Sequence, residues 1–159
     1  MTAIYIHNTP YASQQEARDR KLTSKALVRF ECWWHLWKIE AWPFKALGDG
    51  DLVVLLSTWR GCGELTWLVK ARDVHKHSYG GWANATEAIA NWGAMSVPEV
   101  RSEMYTSAKR PSDPGVVLAW KATPVKALNT PRPLGLRLRP TGWLLTDAAT
   151  LKGMGVPLP

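Results

Sequence analysis

The chain has 159 residues, 46% of them hydrophobic and 21% charged, with a formal net charge of +7. That length suits a single domain with a sizeable core, and that composition excludes wholesale disorder. No apolar run reaches the roughly 20 residues of a spanning helix and no basic-then-apolar leader opens the chain, so no membrane partner is expected.

Thr2 to His7 alternates small and large side chains and predicts a first strand. Ser13-Gln-Gln-Glu16 has the form of a capping box, opening a short basic helix to about Lys21. Ala26 to Trp34 predicts a second strand, after which Trp33, Trp34, Trp37 and Trp42 crowd together before Pro43. The Gly48-Asp-Gly-Asp51 stretch carries turn chemistry. Leu52 to Trp59 is a near-continuous Val/Leu run, the pattern of a strand covered on both faces. Arg60 to Gly63 breaks it, and Glu64 to Val74 resumes an extended pattern. In that strand Leu65, Trp67, Val69 and Ala71 are expected on one face, with Thr66, Leu68, Lys70 and Arg72 on the other. This hairpin is the heart of the expected sheet.

His75 to Trp82 reads as a polar loop. Asn84 then starts a helix with Ala85, Ile89 and Trp92 as its apolar stripe, ended by Gly93. Ser96-Val-Pro-Glu99 is a second capping box, and its helix is expected to bury Val97, Val100 and Met104. Arg110 to Gly115 reads as a loop. Val116 to Val125 predicts a strand that Pro124 brings to its end, Leu128 to Leu134 a proline-punctuated connector, and Leu136 to Leu145 a final extended segment bent at Pro140 and Gly142. Residues 147–159 read as a loosely held tail. The order predicts an α+β fold, or a small barrel of five to six strands with two to three short helices, in one domain over 1–159.

The stretch Gly48-Asp-Gly-Asp51 with Leu52-Val-Val-Leu-Leu56 resembles the turn and apolar strand that PUA-like domains place mid-chain. Gly63 to Val74 is similar to their following strand. Ser96 to Tyr105 resembles their inserted helix, and Val116 to Pro131 with Arg139-Pro-Thr-Gly-Trp143 their closing strands. The chain is therefore similar to the EVE and ASCH branches of the PUA-like group over residues 46–146, while residues 1–45 depart from the EVE opening. The resemblance implies a pseudobarrel that binds nucleic acid, in EVE and YTH domains by enclosing a modified base in an aromatic cage. The ASCH branch includes hydrolases built around a G-x-K-x-x-T-x-R string. Here Lys21 and Ser24 supply a lysine and a hydroxyl, but Asp19 and Ala26 stand where that string has glycine and arginine.

An extruded base needs flat π surfaces and a few polar groups at its edge. Trp34, Trp37, Trp59 and Trp82 are the candidate stacking residues, with Ser57, Thr58 and Asn84 reading the edge. Arg18, Arg20, Lys21, Arg72, Arg137 and Arg139 are the candidate phosphate contacts. For each tryptophan the competing role is core packing, and for each cation a merely solvated surface.

His75-Lys-His77 reads as a pair of solvated loop histidines, with Lys76 opposing a cation, so no metal is expected. Cys32 and Cys62 match no ligand spacing and read as reduced thiols of a cytoplasmic protein. No carboxylate is spaced with a nucleophile and an orienting base, so the sequence argues for no catalytic residue and no cofactor. The leading expectation is a binder of DNA or RNA that recognises a modified or flipped base. The alternatives are an ASCH-like hydrolase of a modified nucleoside, and a protein-interaction module of a phage or mobile element.

Overall fold

The computed structural model describes residues 2–10, 25–29, 32–60, 62–93, 95–104, 112–156 and 158–159. The elements are β1 (Ile4–Pro10), α1 (Lys25–Val28), β2 (Cys32–Trp37), β3 (Leu52–Trp59), β4 (Cys62–Tyr79), α2 (Trp82–Gly93), α3 (Val97–Met104), β5 (Gly115–Pro131), β6 (Trp143–Thr146) and α4 (Ala148–Gly153). The fold is α+β. Its six-stranded mixed sheet has the order β2-β5-β4-β3-β1-β6, with β2 and β6 as its ends, so among the described residues the strands do not close into the barrel expected above.

Two compact units interleave along the chain. Unit one comprises Met1–Glu31, Leu47–Arg72 and Lys121–Pro159; unit two comprises Cys32–Ala46 and Asp73–Trp120.

In unit one, β1 runs parallel to β3, pairing Ile4 with Leu52 and Thr9 with Ser57, and antiparallel to β6. The β3–β4 hairpin forms as the turn chemistry predicts. Asp51 accepts from the amides of Gly48 at 2.9 Å and Ala3 at 3.1 Å, and Gly50 adopts φ 91°, which glycine takes without strain. The hairpin register shifts between Leu55 and Leu56: Leu55 faces Trp67, but Leu56 faces Leu65. Thr66 is the extra residue of a β-bulge, and the alternation expected along β4 is corrected by it. Leu65 joins Leu68 in the core with Ile6, Val54 and Leu56, whereas Trp67 and Val69 fall on the opposite face. Leu128, Leu136, Leu151 and Val156 complete that core.

Unit two packs α2 and α3 over a patch formed by Tyr79, Val117 and Ala119. The α2 stripe of Ala85 and Ile89 is buried as predicted, with Trp82 and Ala90 beside it. Thr86 Oγ1 donates back to the Trp82 carbonyl at 2.6 Å and lies 3.2 Å from Met104 Sδ, joining the two helices. The Ser96 capping box forms: its hydroxyl and amide donate to Glu99 Oε2 at 2.6 and 2.7 Å, holding the Glu99 carboxyl below its ordinary range.

Several expectations are corrected. Residues 25–28 form a helical turn where a strand was expected. β4 runs on through His75–Tyr79, so the two histidines lie on a strand and not in a loop. β5 continues through a buried Pro124 to Pro131, and only Trp143–Thr146 of the last predicted extended segment is strand. The tail is not loose: Asp147 caps α4 by accepting from the Thr150 amide at 2.7 Å, and Leu151 and Val156 are buried. The Ser13 capping box and the helix expected after it lie outside the described residues.

Candidate nucleic-acid interface

Because β1 and β3 are parallel, both finish at the same end of unit one, where the antiparallel β4 and β6 begin. The end of β5 joins them there, since the Arg132 amide donates to the Gly63 carbonyl at 3.0 Å. The turn before β6 does so as well, with the Asn8 amide donating to the Gly142 carbonyl at 2.8 Å. Strand ends of this kind leave side chains and backbone groups free to meet a ligand, because no further ladder covers them.

This end gathers cations. Arg60, Arg132 and Arg139 all lie on it, with Glu64 the acidic residue among them. Arg60 occupies the hairpin tip with φ 44°, a left-handed conformation that a non-glycine residue adopts only at some strain, and its side chain is exposed. Arg139 is exposed too, while Arg132 donates through Nη2 to the Leu136 carbonyl at 2.8 Å.

Two polar groups line the end. On one face, Thr58 Oγ1 donates to Asn8 Oδ1 at 2.7 Å, leaving the Asn8 amide nitrogen as a donor and the Thr58 oxygen as an acceptor. On the other face Ser57 Oγ sits 3.3 Å from Thr9 Oγ1 and 3.2 Å from Thr66 Oγ1. Thr9 also reaches the Leu56 carbonyl at 3.2 Å and Thr66 the Leu55 carbonyl at 3.3 Å. These three hydroxyls are buried and carry three protons for four contacts, so their hydrogens can be shared in more than one way. The bulge creates this cluster, since the extra residue Thr66 turns its hydroxyl to Ser57. Beside it His7 packs against Trp143 with ring centroids 4.2 Å apart, and Trp143 meets Tyr5 edge-on at 6.0 Å. Burial, aided by Asp51, raises the Tyr5 phenol above its ordinary range.

The structure brings together Ser57, Thr58, Trp59 and Arg139 of the residues proposed from sequence. Ser57 is fully buried, so Thr58 is the one of the two that reaches the surface, on the face opposite Trp59. Trp59 keeps part of its indole exposed. Arg137 is exposed on the connector after β5. Arg72 instead ties backbone, donating to the carbonyls of Ala122 at 3.4 Å and Arg29 at 3.0 Å. Arg18, Arg20 and Lys21 lie outside the described residues, and with them the lysine on which a hydrolase reading depends.

The remaining candidates belong to unit two. Trp82 is buried in the helical core, and Trp34 packs against that same core. Strand alternation turns Trp37 to the opposite face of β2, where it stacks on His35 at 5.5 Å and 7°, while Trp33 stacks on the buried Trp120 at 4.5 Å and 17°. Burial lowers His35 to about 4, so its ring is a neutral flat surface at pH 7. Asn84 is exposed on the first turn of α2.

Sequence reasoning missed Asn8, Thr9, Thr66, Arg60 and Arg132. Nothing in a strand's own residues announces a parallel neighbour or a bulge, so Asn8 beside Thr58 and Thr66 beside Ser57 had no signal to find them. Comparison of the chain with family models, with curated proteins and with solved structures finds no match.

Proposed function

We propose that this chain binds nucleic acid through the end of unit one where β1 and β3 finish. One observation carries the reading. Unit one contains fourteen Lys and Arg against seven Asp and Glu, so it holds the whole net charge of +7, while unit two has six of each and is neutral. A scattered solvating charge has no reason to segregate, whereas a phosphate backbone requires that it does.

Arg60, Arg132 and Arg139 contact phosphates, and the half-exposed Trp59 offers a stacking plane to a base that is unpaired or extruded. Asn8 and Thr58 offer a donor and an acceptor to the edge of a neighbouring nucleotide. The partner is DNA or RNA, and a modified base fits the same chemistry. The PUA-like resemblance supports this reading through the central hairpin and the proline-interrupted closing strands, and a PUA-like pseudobarrel is the finer fold we propose. Cys32 and Cys62 are not joined in a disulfide, which suits a reducing, cytoplasmic setting.

The test is a titration with short single- and double-stranded oligonucleotides, plain and base-modified, at two salt concentrations. Binding should weaken steeply with salt. Arg60→Gly, which removes the guanidinium while suiting the positive φ, should weaken all sequences together and lower the salt slope by about one. Binding indifferent to salt and to Arg60→Gly refutes the proposal.

A further inference from the structure

The two histidines of β4 sit in a setting that the sequence does not disclose. Because His75–His77 is strand, alternation puts both imidazoles on one face, and their rings lie 5.9 Å apart at 21°. Lys76, which in a loop would oppose a cation between them, projects to the opposite face, where Nζ donates to the Lys45 carbonyl at 3.1 Å. The objection that the intervening lysine raises is removed by the strand. His75 also stacks on Trp92 at 6.4 Å, and Trp92 is itself fixed, its Nε1 donating to the Asp73 carbonyl at 2.9 Å. Nε2 of His75 is shielded and has no hydrogen-bond partner among the described residues.

We propose that His75 and His77 chelate a divalent transition-metal ion of the imidazole-preferring class, nickel, copper or zinc, on the face of β4 that also carries Tyr79, beside Trp92. Two imidazoles two residues apart on one face of a strand can turn a nitrogen each to a common point once their side chains rotate out of the stacked arrangement, and imidazole nitrogen suits these metals. Among the described residues no third His, Cys, Asp or Glu converges with them, so water fills the remaining positions. The site is thus open, able to accept an outside ligand atom and not closed like a structural zinc site. The proposal is independent of the nucleic-acid reading.

The test is calorimetric titration of the Cys62→Ser chain with nickel chloride at pH 7.5, with imidazole proton resonances followed in parallel. The Cys62→Ser background removes the exposed thiol as a competing ligand. One ion should bind, broadening the His75 and His77 resonances. His77→Ala, an exposed position whose loss spares the fold, should weaken binding by about tenfold or more, as expected when a ligand is lost. Binding should also fall away as the pH drops below about 6, where imidazole protonates. Absence of nickel binding, or equal affinity in His77→Ala, overturns the site.

Discussion

Unit one holds three of the ten tryptophans and all of the net charge; unit two holds seven tryptophans and no net charge. The aromatic residues of unit two are largely consumed by packing. Trp82 and Trp120 are buried, Trp33 lies on Trp120, and Trp34 and Trp92 pack against the helical core. A unit built from short helices and a six-residue strand has few positions with which to fill its interior, and indole fills the most volume per position. Its ion pairs are internal as well, Lys45 with Glu40 at 2.8 Å and Lys38 with Asp113 at 3.9 Å. Abundance of tryptophan therefore points to a packing solution. The location of unbalanced charge is the better guide to a partner.

The sharpest way to break this contrast is at glycine. A Cβ on Gly115 would collide with the Trp37 carbonyl oxygen and stand 2.7 Å from Tyr79 Oη, with no flexible neighbour able to withdraw from the backbone contact. Gly115→Ala should cost roughly 3 kcal/mol or more in urea unfolding. The comparable change in unit one, Gly63→Ala, meets nothing closer than 3.2 Å and should cost about 1 kcal/mol. Equal losses would show that unit two is no more tightly packed than unit one.

The next effect is in pH. His35 is neutral in the folded chain down to about 4 because burial disfavours its charged form. The unfolded chain takes up that proton near 6.5, so the folded state is fully stable above pH 6.5 and loses stability as the pH falls from 6.5 to about 4. The loss should approach 3 kcal/mol, reduced by the residual solvent contact of the ring. His75, depressed in the same sense, adds to it. Replacing His35 by phenylalanine should flatten this part of the stability profile, and an unchanged slope would place the acid sensitivity elsewhere.

The smallest effect concerns the hydroxyl cluster of unit one. Ser57→Ala removes one proton and two contacts, but leaves Thr9 and Thr66 with their carbonyl acceptors. Unfolding free energy should fall by only about 1 kcal/mol. A loss several times larger would mean that the three hydroxyls act as one cooperative network.

Legibility followed locality. Leu52–Trp59 was read with its observed limits because a continuous Val/Leu run bounded by turn residues is a local signal. The Ser96–Glu99 box and the α2 stripe were legible for the same reason. His75–Tyr79 was not, since its polar side chains describe exposure and the ladder that makes it a strand comes from its neighbours. Pro124 misled because proline only forgoes a donor; the chain on either side can still pair. The α4 cap was overlooked at Asp147, although Thr150 three residues on carries the capping signal. At the candidate interface Trp59, Ser57 and Thr58 were found on one strand, whereas Asn8 and Arg132 reach it through pairings of high sequence separation that no local pattern encodes.

The placement of β1 between β3 and β6 has a consequence for how the chain is made. Ile4–Pro10 leaves the ribosome before both of its partners, Leu52–Trp59 and Trp143–Thr146. The β3–β4 hairpin can zip as soon as Tyr79 is synthesised, while β1 must wait as an unpaired segment for β3, and on its other side for the much later β6. Closing the longer of those loops costs little more than closing the shorter, because loop entropy grows only with the logarithm of length. The exposure in time is what differs. Nascent chains stalled between residues 80 and 140 should therefore be the aggregation-prone species, with β1 the segment that a chaperone shields.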